Sequence, residues 1–396
     1  MEKDRRSRGM AGTEKIQNRE QILGKMDQSE EDRKQECMEK YWLWLCCVPG
    51  LSQSALKALI LYFGSPRGVW EAGEEEFTLW KKTGARWVDG LLRFRRQHEP
   101  EEVCHSAEAK GIKFISRERK GFPSRLRHLP DCPAGLFYRG MLPREECFCA
   151  AIVGARQCSP YGRLMARKLS GALSGAGAQI ISGLALGIDG IAQRMAVEAG
   201  GSSFGILGSG VDLCYPRENF SLYQDILEKG GILSEFPPGS QPKPFHFPMR
   251  NRLISGLSDV VIVVEAREKS GSLITADLAL EQGKDVYAVP GRSTDDLSRG
   301  CNRLIAQGAG VILTPESLLE DLNLTQPAGE KFQKRQVSLA PEEELVYSNL
   351  DLLPKGLNEI AENTALSIGS LAGILLRLQL KDMAAEITKN QYIKLE

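Results

Sequence analysis

The stretch that decides the fold is residues 149–189, which read CAAIVGARQCSPYGRLMARKLSGALSGAGAQIISGLALGID. It starts with an apolar run at Ala150–Val153, continues through a helical segment at Tyr161–Ser174, and reaches a second apolar run at Gln179–Ile181. Two short apolar runs joined by a helical crossover predict neighbouring parallel strands in a sheet that is covered on both faces.

The same alternation continues to about residue 313. Further strands are predicted at Ser203–Leu207, Gly231–Leu233, Val260–Glu265, Val286–Val289 and Gly310–Leu313. Helical segments are predicted between them at Ile188–Ala199, Ser221–Lys229, Arg252–Leu257, Ser272–Gln282 and Cys301–Gln307. The predicted fold class is therefore α/β, with a doubly wound and mostly parallel sheet.

A small helical domain is predicted before this sheet. Tyr41–Val48 is followed by a Pro-Gly turn and by an amphipathic run at Ser54–Phe63, which Gly64 and Pro66 end. Helix, turn and helix are typical of a helix-hairpin-helix or SAM-like unit, whose backbone amides can bind DNA phosphates. Because Ser52 replaces the usual second glycine of the hairpin, a packing or partner-binding role is equally open.

The last part of the chain regains helical periodicity after a polar linker. Helices are predicted at Pro341–Leu350, Leu357–Asn363 and Ser367–Gln379, with a β-hairpin at Glu386–Leu395. These elements favour a winged-helix-like domain, which could bind duplex DNA or another protein. The predicted organisation is a disordered charged tail at 1–40, the helical domain at 41–110, the α/β domain at 111–323, the linker at 324–340 and the winged-helix-like domain at 341–396.

Composition excludes few functions. The 396 residues contain 51 Lys and Arg against 51 Asp and Glu, so net charge does not indicate a partner. Since no run of 18 apolar residues and no signal peptide is present, we expect a cytoplasmic protein without a membrane partner. The ten cysteines show neither a CxxC motif nor zinc-ligand spacing to a histidine, so we expect reduced thiols and no metal.

Glycine-rich loops follow several predicted strands. They contain Gly154 to Arg156, Ser182 and Gly183, Gly208 to Gly210, and Lys269 to Gly271. Loops at the carboxyl ends of parallel strands can bind anions through backbone amides, although each could simply be a tight turn. The first loop has neither the GxGxxG nor the Walker A spacing, so no nucleotide cofactor is predicted. Arg156 is a forked phosphate donor, unless it pairs with Asp189 or Glu265.

The segment Gln241–Arg252 is the strongest indication of a ligand. It holds three cations and two aromatic rings and no acidic residue, and the predicted contacts are Lys243, Phe245, Phe247, Arg250, Asn251 and Arg252. Cations bind phosphates without regard to sequence, and aromatic rings stack on unpaired bases. This interleaving favours single-stranded DNA, although one of the two phenylalanines could be a core anchor.

Catalytic residues are not predicted. The four histidines are scattered, and no nucleophile with an adjacent base can be argued from the sequence. Acidic residues follow the strands at Asp189, Asp212, Glu235 and Glu265, but carboxylates at such positions more often cap helices or hold arginines.

The chain resembles the DprA/Smf family of DNA-processing proteins of bacterial transformation. The resemblance rests on motifs in a fixed order: residues 151–156, 182–189, 207–212 with 215–216, 247–258, 265–266, 269–276, 289–291 and 300–305. It implies an extended Rossmann-like domain that binds single-stranded DNA, forms a homodimer and loads the RecA recombinase. It also implies DNA contacts at Arg156, Lys243, Arg250 and Arg252. One departure is Gln193, where family members usually carry histidine.

Two other functions remain open from the sequence. A related fold cleaves nucleoside monophosphates with a PGGxGT motif, and this chain has Pro290, Gly291 and then Arg292 at the comparable place. Arg292 replaces the second glycine and argues against such a hydrolase. A duplex-binding regulator that acts through the C-terminal domain is the third alternative.

Overall fold

The computed structural model describes residues 38–324 and 339–395, except for 79, 81–83, 86, 352–353 and 382. The predicted tail before residue 38 and the linker at 325–338 therefore lie outside the described residues. The chain divides into two compact units. The first contains the described residues up to Arg139 with 209–213 and 234–241, and the second contains 140–208, 214–233 and the described residues from 242 onward.

The first unit is mainly helical. Its helices lie at 38–47, Gln53–Phe63, Pro66–Glu71, Trp87–Gln97, Pro100–Ala109 and Ser124–Arg127, with a 3-10 helix at Glu74–Phe77. The hydroxyl of Ser52 accepts from Ala55 N at 3.2 Å and starts the second helix, and Gly64 ends it with φ 76°. The Pro-Gly turn between two helices is confirmed.

One boundary and one pair of strands differ from the prediction. The first helix already includes residue 38, and Glu39 accepts hydrogen bonds from Ser116 N at 2.6 Å and Ser116 Oγ at 2.7 Å. The folded part therefore begins before the predicted end of the tail at residue 40. An antiparallel pair of strands, β1 at Lys113–Ser116 and β2 at Gly135–Gly140, was not predicted.

The second unit contains the predicted parallel sheet. Its strands are β3 Cys149–Val153, β4 Gln179–Ser182, β5 Ser203–Ile206, β6 Gly231–Ser234, β7 Val260–Val263, β8 Asp285–Ala288 and β9 Gly310–Val311. They lie in the order β6-β5-β4-β3-β7-β8-β9, and every neighbouring pair is parallel. The doubly wound sheet is confirmed, and its strand order reverses between β3 and β7. In such sheets the ligand crevice lies outside the carboxyl ends of the strands at this reversal.

Helices connect these strands and bury their apolar sides. They lie at Pro160–Gly175, Ile188–Glu198, Phe220–Lys229, His246–Leu257, Gly271–Glu281, Arg299–Ala306 and Pro315–Asp321. Ile152 and Ile262 of the central strands pack with Leu169 and Leu173 in one cluster of fully buried side chains. Burial of this cluster stabilises the sheet by about 2 kcal/mol per large side chain and holds the strand ends in place.

The basic and aromatic segment is more helical than predicted. A helix was expected from Arg252, but it begins at His246 and includes Phe247, Arg250 and Asn251. Pro248 fits because it lies in the first turn, where a backbone N–H has no partner within the helix. Phe247 and Arg250 are consequently one helical turn apart, and only the part before His246 is a loop.

The C-terminal elements are present as predicted. Helices lie at Pro341–Asn349, Leu357–Thr364 and Ile368–Leu380, and β10 Lys355–Gly356, β12 Gln391–Lys394 and β11 Ala384–Thr388 form an antiparallel sheet in that order. That they form a winged helix stays a prediction. Buried Glu343 pairs with Arg377 Nε at 3.0 Å and with Lys381 Nζ at 2.6 Å. None of the described helices is long and apolar enough to cross a membrane.

Candidate nucleic-acid interface

The ring of Phe247 is the centre of a cluster at the carboxyl ends of the strands. A Cβ atom on Gly208, which follows β5, would lie 3.0 Å from Phe247 Cδ1, so the ring packs directly against that backbone. The ring of Tyr215 lies 5.6 Å from the ring of Phe247, centroid to centroid, at an interplanar angle of 32°. Phe247 is therefore fixed by residues that follow β5.

Two arginines contact the same ring. The Cζ atom of Arg156 lies 5.4 Å from the ring centroid of Phe247, and that of Arg250 lies 5.9 Å from it. Both distances are within the range of cation–π attraction. Arg156 is exposed, whereas Arg250 is only 4% exposed. The cluster thus has an outer cation that faces solvent and an inner cation that does not.

The inner cation is bonded to backbone carbonyls and lies near the buried carboxyl group of Asp189. Arg250 Nη1 donates to Gly183 O at 2.9 Å and also to Ile206 O. Burial lowers the pKa of Arg250 to about 10, and the nearby carboxylate of Asp189 opposes this shift. Burial raises the pKa of Asp189. The charge of Arg250 and the backbone amides of Gly183 and Gly154 act in the opposite direction and lower it. The two charges compensate each other inside the protein and hold the loop after β4.

The packing around the loops that follow β3 and β4 explains why glycine occupies positions 154 and 183. A Cβ atom on Gly183 would lie 2.7 Å from both Arg250 Nη2 and Asp189 Oδ2. A Cβ atom on Gly154 would lie 2.7 Å from Ile188 Cγ1. The absence of a side chain at these positions is therefore required by the neighbouring side chains of the protein itself.

A second exposed cation and ring lie just before the helix. Lys243 Nζ is 5.9 Å from the ring centroid of Phe245, and the Phe245 side chain is 58% exposed. The Phe245 ring contacts His246 edge to face at 4.6 Å. His246 is buried, and its Nδ1 lies 3.0 Å from Gly208 O. Burial lowers the pKa of His246, so the ring is neutral at pH 7 and contributes no charge here.

The helix start at the strand-order reversal is filled by a carboxylate. Glu265, which follows β7, accepts from Ser159 N at 2.8 Å and from Ser159 Oγ. Ser159 in turn caps the helix Pro160–Gly175 by accepting from Gly162 N at 3.0 Å. A helix start at this position is where Rossmann folds bind a phosphate. Here the protein supplies the anion itself.

Residues 113–323 match the family model described as DNA recombination-mediator protein A. The chain belongs to this family.

Relatives and a solved structure agree with this assignment. Protein Smf of Synechocystis is 32% identical over 384 residues, which are 88% of this chain and 96% of that protein. DNA processing protein DprA of Bacillus subtilis is 43% identical over 221 residues, 56% of this chain and 74% of that protein. The X-ray structure of DprA from Streptococcus pneumoniae has a TM-score of 0.62 and 34% identity, and it covers 71% of this chain and 97% of that chain.

The predicted site residues of this family member fall into three groups. The exposed ones are Arg156, Lys243, Phe245, Lys269 and Gly271, and the half-buried ones are Gly154, Phe247 and Ser270. The buried ones are Ser182, Gly183, Arg250, Asn251 and Arg252. The predicted DNA contacts therefore divide into surface residues and residues that hold the loops.

The buried group requires a correction. Ser182 Oγ donates to Ile152 O at 2.6 Å, and Asn251 Nδ2 donates to Gly271 O at 3.2 Å. Arg250 is held by carbonyl oxygens and Asp189, and Arg252 is 7% exposed. Direct DNA contact through these side chains is less favoured than through the exposed residues, because all of them are buried.

Other outcomes concern residues that the sequence left open. Asp189 and Glu265 were the alternative partners of Arg156. Asp189 instead accepts from Gly183 N at 3.1 Å, and Glu265 accepts from Ser159 N at 2.8 Å. Gln193 is fully buried, accepts from Leu184 N at 3.0 Å and donates to Phe204 O at 3.1 Å, so it has a structural role. Tyr215 was missed as a site residue. The Tyr-Pro motif at 215–216 was its only signal.

Proposed function

We propose that this chain is a non-enzymatic recombination mediator that binds single-stranded DNA, protects incoming strands and loads RecA onto them during natural transformation. Membership of the recombination-mediator family supports the role. The structural observation that carries the proposal is the exposed Arg156 held on the ring of Phe247. Lys243 and Phe245 provide a second exposed cation and ring.

The arrangement suits a single strand for two reasons. Exposed cations attract phosphates without sequence preference, which makes binding steeply dependent on salt. Exposed rings stack on unpaired bases, whereas the bases of a duplex are already stacked on each other. Lys269, which is also exposed after β7, adds a cation at the same edge of the sheet.

The nucleotide hydrolase is less favoured by the geometry. The loop at Gly291 would carry the second glycine of the hydrolase motif. It is bonded to the helix Arg299–Ala306, because Gly291 N donates to Asn302 Oδ1 at 3.2 Å and Asn302 Nδ2 donates to Gly291 O at 2.9 Å. A Cβ on Gly291 would also lie 2.1 Å from Ser298 Oγ. The helix start opposite this loop is capped by Ser159, whose hydroxyl is bonded to Glu265.

Duplex recognition by the C-terminal domain has little support in its third helix, Ile368–Leu380. Its cation Arg377 and the following Lys381 are both paired with Glu343. These ion pairs occupy the charges that a recognition helix would offer to phosphates. The partners of the proposal, RecA and a second copy of the chain, rest on the family resemblance.

The test is a titration of a fluorescent oligothymidylate, a few tens of nucleotides long, at low and moderate salt. We expect the wild type to bind with steep salt dependence, and Arg156→Ala/Lys243→Ala to lose at least about tenfold in affinity with a smaller salt slope. Lys168→Ala and Arg303→Ala are matched controls, because both side chains are exposed on helices outside the Phe247 cluster.

Three results would contradict the proposal. The first is a wild type that does not bind the oligonucleotide. The second is a double variant that binds as well as the controls. The third is release of free base when the protein is incubated with nucleoside monophosphates, which would make the hydrolase the better assignment.

A further inference from the structure

We propose that Tyr215 stacks on an unpaired base of the bound strand, whereas Phe247 acts as a positioning residue for the cations around it. This inference rests on the proposed function and adds a base-binding subsite to it. The sequence had favoured Phe245 and Phe247 as stacking rings.

The ring of Phe247 is already in use. Two guanidinium groups lie over it, those of Arg156 and Arg250, and the backbone of Gly208 is against its edge. The Tyr215 ring contacts it as well. A half-buried ring with these neighbours has little area left for a base, but it holds Arg156 in a defined position.

Tyr215 is the neighbour that remains accessible. Its side chain is 43% exposed although it packs against Phe247 at 5.6 Å. A ring that is supported on one side and exposed on the other provides a rigid platform, because little side-chain freedom is lost when a base stacks on it. Phe220 is also exposed, but its ring stacks on Tyr223 of the helix Phe220–Lys229, at 6.3 Å, and so belongs to a different pair of rings.

The position of Tyr215 relative to Arg156 fits a nucleotide. Both groups contact the same ring, at 5.6 Å and 5.4 Å, so the Tyr215 ring and the Arg156 guanidinium are no more than 11 Å apart. A base on Tyr215 therefore leaves a phosphate of the same or the adjacent nucleotide within reach of Arg156. The ligand class is an unpaired base of any type, because each base has a face that can stack.

The experiment compares two oligomers of equal length, oligothymidylate and an abasic oligomer that keeps the sugar-phosphate chain without bases. Stacking on one ring is expected to contribute about 5- to 150-fold in affinity. Tyr215→Ala should therefore weaken binding of oligothymidylate by this factor and leave binding of the abasic oligomer unchanged. Tyr215→Phe, which keeps the ring, should bind both oligomers like the wild type. Arg156→Ala should weaken both.

The inference is overturned if Tyr215→Ala weakens both oligomers equally, if it weakens neither, or if the wild type binds the two oligomers with the same affinity. Should the alanine variant unfold, Tyr215→Leu keeps the volume without an aromatic face and the same comparison applies. A wild type that binds neither oligomer contradicts the proposed function itself. A wild type that binds both, with Tyr215→Ala unaltered, contradicts only the role of Tyr215.

Discussion

Arg156 and Arg250 contact the same ring of Phe247 from different environments. Arg156 is exposed, and its contact with Phe247 leaves the guanidinium open to a ligand. Arg250 is 4% exposed and donates to Gly183 O and Ile206 O beside Asp189. Two arginines that contact one ring therefore have different physical roles, because one is solvated and the other is desolvated.

Burial decides which of the two arginines stabilises the fold and which is available to a ligand. A buried charge must be compensated by a partner, so its removal leaves the partner uncompensated and mainly destabilises the fold. An exposed charge costs little to remove but takes its phosphate contact with it. Substitutions of the residues around Phe247 can separate a loss of stability from a loss of phosphate binding.

The largest expected effect is on the stability of the second unit. Arg250→Met should lower its free energy of unfolding by about 3–5 kcal/mol, because the buried carboxylate of Asp189 loses its counter-charge. Arg156→Met should change it by less than about 0.5 kcal/mol. Urea denaturation followed by circular dichroism measures both.

A second variant checks the cause. Asp189→Asn in the Arg250→Met background should recover part of the lost stability, since no unpaired carboxylate remains. If Arg250→Met is as stable as the wild type, or if Arg156→Met is equally destabilised, the division between inner and outer arginine is wrong.

An intermediate effect is expected from Gly183, which follows β4. Gly183→Ala places a Cβ 2.7 Å from Arg250 Nη2 and Asp189 Oδ2, and overpacking of this kind costs about 1–3 kcal/mol. Gly271→Ala is the matched control, because no atom lies within 4 Å of its added Cβ. Thermal melts of the two variants should differ clearly, and equal melting temperatures would argue against a tightly packed inner arginine.

The smallest effect concerns pH. Burial lowers the pKa of His246 below the ordinary value of 6.5, so the unfolded chain binds this proton more readily than the folded one. The contribution to stability is therefore present above about pH 6.5 and is lost as the pH falls through the folded pKa. His246→Asn should show a smaller loss of stability between about pH 7.5 and 5.5 than the wild type. Parallel pH profiles would contradict this.

The parallel sheet could be predicted because its strands are fully buried. Runs such as Val260–Val263 are apolar throughout, which is the pattern of strands covered on both faces. The β1 and β2 pair lacked this signal, since Lys113 is exposed and the second half of Gly135–Gly140 is half-buried. The helix start at His246 was missed because Pro248 suggested a loop, although proline is tolerated in a first turn.

The sequence indicated which residues surround the candidate site, but not which of them are buried. Residue types predict that Arg156, Lys243 and Phe245 bind phosphates and bases. The three side chains are exposed, and their role stays a prediction. The burial of Arg250 could not be predicted, because it depends on Asp189 and Gly183, which are distant in sequence and are brought together by the fold. Tyr215 was missed for the same reason, since its contact with Phe247 exists only in the folded chain.

The carboxyl group of Glu265 at the start of the helix Pro160–Gly175 has a consequence for which phosphate ligands the protein can bind. An open helix start at this position of the sheet is where the phosphate of a free nucleotide would bind. Because Ser159 N and Ser159 Oγ already donate to Glu265, we expect a free nucleotide to compete poorly with an oligonucleotide for this protein. In the proposed function the phosphates are bound instead by exposed cations such as Arg156 and Lys243, whose weak contacts add up along a long strand.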